Sequence, residues 1–115
     1  MRMHTGMDPV FLCRKHLLGE HGELHKHRPS FVKHHKITKR IALGQIEPLS
    51  MKERHDLLVA EMLRRNYNHN SPYDMPDLSY LPANEREFRQ DPHLVRAWLI
   101  ENCTDCAERI QRIET

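Results

Sequence analysis

The sequence is poor in several features that define common protein classes. Aromatic residues make up 6% of its 115 positions, and no run of 18 apolar residues occurs. We therefore expect no membrane-spanning helix, and the N-terminus also lacks an apolar signal core. The three cysteines are an odd number, which fits a reducing compartment better than a disulfide framework. Together these absences predict a cytoplasmic protein.

The sequence also lacks two catalytic motifs and the alternating apolar pattern that is typical of β-strands. The four glycines form neither a phosphate-binding loop nor a Gly-x-Ser-x-Gly elbow, which argues against nucleotide hydrolysis and serine esterase chemistry. Valine and isoleucine are scattered, and no alternating apolar run of four or more residues occurs, which argues against sheet. We expect one all-α domain over residues 1–115, with three main helices and long irregular connections.

Charge is distributed unevenly along the chain. Residues 1–41 contain nine Lys/Arg and three Asp/Glu, whereas residues 42–115 contain nine and thirteen. The N-terminal part therefore has a net charge of +6, and it also holds seven of the ten histidines. A basic, histidine-rich surface favours a polyanionic partner, most plausibly nucleic acid. Ordinary charge scatter in a helical protein is the alternative.

Three signals mark the starts of the predicted helices. Asp8-Pro9 and Asp91-Pro92 each place an N-cap residue before a proline at the first helical position. Ser50 and Glu53 form a capping box. We predict the main helices at 8–27, 51–66 and 92–110. Arg28-Pro29 should end or kink the first helix, because the residue before a proline avoids helical angles.

The first predicted helix carries a row of polar side chains beside its apolar face. At about 100° per residue, the row occupies a sector of roughly 60° and contains His16, Glu20, Glu23 and His27. Carboxylates against an apolar wall are placed for shifted pKa values and proton transfer. The alternative is a solvated face on which Arg14, Lys15 and Lys26 pair with the two glutamates.

Two arrangements allow metal binding as an alternative. Cys103 and Cys106 form a CxxC pair that Cys13 or a histidine could complete into a zinc site. The same spacing also fits two small residues packed on one side of a helix. His21 and His25 are four residues apart, a spacing that can hold a metal.

The segment HLLGEHGEL at positions 16–24, followed by Lys26, resembles the first-helix signature of the pyrimidine-dimer DNA glycosylase/AP lyases, the small phage "endonuclease V" type. Residues 53–67 are similar to the second helix of that family, and the resemblance covers about residues 1–82. It implies an all-α enzyme that excises damaged pyrimidines, such as UV-dimerised ones, and cleaves the strand by β-elimination. Neither a metal nor a cofactor is implied.

The resemblance also implies roles for individual residues. The N-terminal α-amine, here that of Met1, would attack the sugar C1′ and form an imine. Glu23 would be the acid/base, and His16 would position the damaged site. DNA contacts would come from Arg2, Arg14, Lys15, Glu20 and Lys26. The expected partner is damaged or abasic duplex DNA, bound by a monomer in the nucleoid of a bacterial or phage-infected cell.

The chain departs from the family pattern at three places. Arg2 follows Met1 where the best-known members expose a threonine, Gly22 replaces an arginine, and the CxxC segment replaces an aromatic C-terminal tail. Two other functions therefore stay open at this point. One is a non-catalytic nucleic-acid-binding module with zinc at the CxxC pair. The other is a metal-dependent hydrolase that uses His16, Glu20, Glu23 and His25 or His55.

Overall fold

The computed structural model describes residues 2–69 and 71–115, and no β-strand occurs in those two ranges. The described residues form six α-helices in chain order: α1 Arg14–Val32, α2 Thr38–Ala42, α3 Met51–Arg64, α4 Ala83–Arg86, α5 Pro92–Asn102 and α6 Thr104–Glu114. Helices α1 and α3 pack against each other. The all-α prediction is confirmed. None of the described helices is long and apolar enough to cross a membrane.

The first helix begins later and ends later than predicted. Asp8 does cap a helix start, by accepting a hydrogen bond from the amide of Val10 at 3.0 Å, but this start opens only a 3₁₀ turn at Pro9–Phe11. Extended residues follow, and α1 begins at Arg14. The predicted stop at Pro29 is wrong, because the chain continues in helical geometry to Val32 and Lys33 donates to the carbonyl of Pro29.

The third main helix is two helices, which corrects the prediction of one continuous helix at 92–110. Cys103 has extended backbone angles (φ −141°, ψ 106°) and separates α5 from α6. Its Sγ accepts a hydrogen bond from the amide of Cys106 at 3.4 Å, so Cys103 acts as the N-cap of α6. The long irregular stretch predicted at 66–84 is found in the described residues 65–69 and 71–82.

The N-terminal segment is held between the α2–α3 connection and the start of α5. Gln90 donates from Nε2 to the carbonyls of Met3 at 2.9 Å and Gly44 at 2.8 Å. Its Oε1 accepts the amide of Thr5 at 3.0 Å. The amide of Met3 donates to the carbonyl of Gln45 at 2.8 Å. One buried side chain therefore ties three parts of the chain together.

Two glycines have left-handed backbone angles and differ in their surroundings. A Cβ on Gly6 (φ +92°) would lie 2.8 Å from Cβ and Cγ of Pro92, whereas Gly44 (φ +65°) has no described atom within 4 Å of that position. Gly44→Ala should lower the free energy of unfolding by about 1–2 kcal/mol through backbone strain. Gly6→Ala should lower the free energy of unfolding by about 1–3 kcal/mol more than Gly44→Ala, because the added Cβ would press against the rigid ring of Pro92. Urea denaturation compares the two variants, and equal losses would contradict the close contact.

Candidate active site and metal-ligand clusters

Glu23 lies on α1 beside a buried histidine. Its side chain is 20% exposed, and its Oε2 is 3.4 Å from Nε2 of His27, within ion-pair distance but not aligned as a hydrogen bond. The guanidinium of Arg40 is 3.3 Å from Nδ1 of His27. Because a guanidinium only donates, Nδ1 accepts, and the proton of neutral His27 is on Nε2 facing Glu23. Burial and Arg40 lower the pKa of His27, against the opposing effect of Glu23, so the ring is neutral at pH 7.

A basic segment, defined here as residues 33–40, adjoins this pair. Its exposed cations are Lys33, Lys36 and Lys39, and its Arg40 contacts His27. Tyr80 holds the segment by stacking on His34 at 4.4 Å between ring centroids and by donating to the carbonyl of His35 at 2.9 Å. Sequence reasoning recognised the basic half of the chain but assigned no role to this segment. The sequence signal for such a role was the high density of lysine and arginine between two stretches that are predicted to break helices.

The N-terminal segment approaches the same region. Met3 donates to the carbonyl of Gln45, and the amide of Gln45 donates to the carbonyl of Arg40 at 2.9 Å. The chain that follows Met1 is therefore attached to α2, whose Arg40 contacts His27 beside Glu23. Met1, the predicted nucleophile, lies outside the described residues. The guanidinium of Arg2 lies 4.8 Å from the ring centroid of Trp98.

The other predicted DNA contacts fall into two groups. Arg14, Lys15 and Lys26 are exposed, and Arg14 lies over the ring of Tyr67 at 4.8 Å. They are available to phosphates. Glu20, in contrast, is fully buried on α1. The predicted contact between Glu20 and DNA is wrong for this structure, because no part of the side chain reaches the surface.

Glu20 instead forms a buried ion pair with Arg54 of α3. Arg54 donates from Nε to Oε2 at 2.6 Å and from Nη2 to Oε1 at 3.0 Å. Its third donor, Nη1, reaches the carbonyl of Met7 at 2.6 Å. The pair therefore joins α1, α3 and the N-terminal segment. Two neighbouring glutamates on one helix have different surroundings, Glu20 in the core and Glu23 at the surface.

The cysteine cluster consists of Cys13, His16, Cys103 and Cys106, with one donor atom from each residue within 4.8 Å of the others. The Sγ of Cys13 is 3.3 Å from Nδ1 of His16 and 3.7 Å from the Sγ of Cys103. Nδ1 of His16 is also 3.6 Å from the Sγ of Cys106. The predicted positioning residue His16 thus faces three thiols. Along α1 it is seven residues, or about 10 Å, from Glu23.

Backbone amides surround two of these sulfurs. The amide of Cys13 donates to the Sγ of Cys106 at 3.3 Å, and the amide of Cys106 donates to the Sγ of Cys103 at 3.4 Å. Both sulfurs also lie at the N-terminus of α6, where the helix dipole favours negative charge. Burial raises the pKa of the Cys106 thiol to about 12. A bound cation would replace that proton, since coordinated thiols ionise.

The histidine cluster consists of His21, His25, His55 and His69, again with donor atoms within 4.8 Å of one another. It joins α1, α3 and the irregular segment after α3. Nε2 of His55 is 3.1 Å from Nε2 of His25, and Nδ1 of His55 is 3.0 Å from a carboxylate oxygen of Asp56. Burial and the three neighbouring histidines lower the pKa of His21 to about 4. The ring is therefore neutral, the form that binds metals.

These two clusters rule out one arrangement considered above. The metal-dependent hydrolase required His16, Glu20, Glu23 and His25 or His55 in one site. In the structure His16 belongs to the cysteine cluster, Glu20 pairs with Arg54, and His25 and His55 belong to the histidine cluster. Glu23 is beside His27 instead. That hypothesis is wrong, because its residues are divided among separate neighbourhoods.

Comparison with known protein families gives a match that includes the first helix. No curated protein and no solved structure matches the chain significantly. The family model described as pyrimidine dimer DNA glycosylase matches residues 1–75. The match includes α1, α2 and α3, and it ends before the CxxC pair. Because the match extends over more than half of the sequence, the chain belongs to the pyrimidine dimer DNA glycosylase family, whose members are DNA-repair enzymes.

Proposed function

We propose that the protein excises damaged pyrimidines from duplex DNA and then cleaves the strand at the resulting abasic site. The observation that carries the proposal is the position of Glu23, partly exposed on α1 beside neutral His27 and at the border of the exposed basic segment. Phosphate-binding cations next to a carboxylate bring a DNA backbone within reach of a proton-transferring group.

The nucleophile of this proposal is the α-amine of Met1. An α-amine has a pKa near 8, so a useful fraction is neutral at physiological pH. Its attack on C1′ breaks the glycosidic bond. The base leaves as an anion that takes a proton from water, and the Glu23 carboxylate takes one proton from the attached amine. As the sugar ring opens, Glu23 returns this proton to the ring oxygen, and a protonated imine forms between C1′ and the amine nitrogen. The Glu23 carboxylate then removes a proton from C2′, and the 3′ phosphate leaves.

His27 and Arg40 orient Glu23 in this scheme. Arg40 occupies Nδ1 of His27, which leaves the Nε2 proton directed toward the Glu23 carboxylate. A modest movement on DNA binding would turn this 3.4 Å approach into a hydrogen bond. The positioning role predicted for His16 passes to His27, because Nδ1 of His16 faces the thiols.

The exposed cations bind the DNA backbone. Lys15 and Lys26 project from α1 toward the side that carries Glu23, the basic segment adds exposed cations beside it, and Arg14 is exposed on another side of the helix. Arg2, next to the nucleophile, is the remaining phosphate contact. Each neutralised phosphate releases counterions, so DNA affinity should fall steeply as salt rises.

Borohydride trapping tests the proposal. The untagged protein is incubated with a duplex that carries one abasic site, and borohydride reduces any imine to a stable adduct. We expect a covalent complex whose modified residue, mapped by mass spectrometry, is Met1. Extending the N-terminus should abolish the adduct, whereas the same extension at the C-terminus, the matched control, should leave it.

Other results would contradict parts of the scheme or all of it. An adduct at Lys15 or Lys26 would retain the lyase but overturn the role of the α-amine. Salt-dependent DNA binding without any adduct would overturn the proposal and favour the non-catalytic binding module.

A further inference from the structure

We infer that the cysteine cluster binds one structural zinc ion, which fastens the start of α6 to the start of α1. Three sulfurs and one imidazole nitrogen form a complete tetrahedral ligand set of the kind found in structural zinc sites. Two of the four ligands, Cys103 and Cys106, lie outside the part of the chain that matches the family model.

The measured distances agree with the edges of a zinc tetrahedron. Zn–S bonds of about 2.3 Å and Zn–N bonds of about 2.0–2.1 Å place two sulfurs about 3.8 Å apart, and a sulfur and a nitrogen about 3.5 Å apart. The Cys13–Cys103 sulfurs are 3.7 Å apart, and the two sulfur–nitrogen distances at His16 are 3.3 and 3.6 Å. Each distance alone also fits a thiol hydrogen bond or a sulfur contact; the metal site is indicated by the convergence of all four donor atoms within 4.8 Å of one another.

The surroundings of two sulfurs would stabilise the negative charge of metal-bound thiolates. Backbone amides donate to the sulfurs of Cys103 and Cys106, and both residues are at the positive end of the α6 dipole. Cys106 and Cys13 are buried, and His16 and Cys103 are partly buried. Four protein ligands fill a tetrahedral zinc site, which is the arrangement of structural and not of catalytic sites.

A different set of observations carries a second site at the histidine cluster. Nε2 of His21 and Nε2 of His69 are buried and have no hydrogen-bond partner among the described residues. Unsatisfied buried nitrogens are costly, and two in one four-histidine cluster point to a missing partner. Imidazole ligands suit zinc, copper and nickel. A tetrahedral zinc would place the nitrogens about 3.3 Å apart, close to the 3.1 Å between His25 and His55.

The contacts of His55 agree with this second site. A carboxylate oxygen of Asp56 is 3.0 Å from Nδ1, and Nε2 lies 3.1 Å from Nε2 of His25 and 3.1 Å from the carbonyl oxygen of Ser71. The two Nε2 atoms are therefore close enough to share one ion. Asp56 then has the place of the carboxylate that orients a metal-bound histidine.

This second ion would not take part in the chemistry of Glu23. His21 and His25 are each two residues from Glu23, which is about 200° around α1. The ion would therefore lie on the opposite face of the helix. Its effect would be to pin the irregular segment after α3, through His69, against α1 and α3.

Metal content tests both sites in one set of measurements. The protein is purified without a tag or immobilised metal, loaded with zinc, dialysed against a weak chelator, and analysed by plasma mass spectrometry. We expect two zinc ions per chain. Cys103→Ser with Cys106→Ser should remove one ion, and His25→Gln with His55→Gln should remove the other. The exposed His93→Gln, the matched control, should leave both.

A second measurement avoids variants that fail to fold. Titrating the wild-type protein with a thiol-specific mercurial should release one zinc ion as the three thiols react, detected by a colorimetric chelator. Cobalt substitution should add a sulfur-to-cobalt charge-transfer band that the cysteine variant lacks. Three free thiols in zinc-treated protein without bound metal would overturn the first site. A zinc content of one that the histidine variant does not lower would overturn the second.

Discussion

Glu23→Gln should lower strand cleavage at an abasic site by about 10²–10⁴-fold, the usual contribution of a general acid or base. The amide keeps the size of the side chain beside His27 but cannot accept or deliver the proton. DNA affinity should stay nearly unchanged, because the exposed cations around Glu23 are untouched. Single-turnover cleavage and a filter-binding isotherm measure the two quantities.

The matched control for this variant is Glu101→Gln, an exposed glutamate on α5 with no assigned role. It makes the same change of charge and should leave cleavage intact. Full cleavage by Glu23→Gln would remove Glu23 from the mechanism. Equal losses in cleavage and affinity would assign Glu23 to binding and not to proton transfer.

Glu20→Gln should destabilise the protein by about 3–5 kcal/mol, since it leaves the buried charge of Arg54 without its partner. Domains of this kind have about 5–15 kcal/mol of stability, so this single change threatens folding. Glu20→Leu combined with Arg54→Met removes both charges and should recover most of the loss. Urea denaturation at one fixed zinc concentration compares the variants.

A surface pair provides the control for this ion pair. Arg96 and Glu114 also form an arginine–glutamate bridge, but both side chains are largely exposed. Arg96→Met should therefore cause no measurable change in the unfolding midpoint. If the double variant at the buried pair were as unstable as Glu20→Gln, the hydrogen bond from Arg54 to the carbonyl of Met7 would be the main contribution.

The sequence predicted helix boundaries that depend on residues close together in the chain. The predicted start of α3 after Ser50 is confirmed, and the predicted end was within two residues of Arg64. The predicted capping box itself is wrong, because the Ser50 hydroxyl makes no cap hydrogen bond and donates to Glu47 at 2.6 Å. The break at Cys103 was missed because nothing in the neighbouring residues interrupts a helical pattern. It arises where the sulfur of Cys103 meets Cys13, 90 residues away along the chain.

The candidate site also depends on contacts between residues that are far apart in the sequence. Glu20 and Glu23 are equivalent in the sequence pattern, and only the packing of α3 distinguishes them by placing Arg54 against Glu20. Spacing paired His21 with His25 as residues that can hold a metal. The other two members of the histidine cluster come from α3 and the segment after it, which no spacing within α1 can reveal.

The hydrogen bonds between Gln90 and the N-terminal segment bear on whether the part of the chain that matches the family can fold without the rest. The family match ends at residue 75, yet Gln90 holds Met3 and Thr5, and Trp98 contacts Arg2. The end of the family match at residue 75 is therefore not a boundary of the unit that folds cooperatively. A version shortened to residues 1–75 would keep Glu23 but lose Gln90 and Trp98, whose side chains contact the N-terminal segment. Residues 76–115 therefore support the part of the chain from which the proposed nucleophile extends.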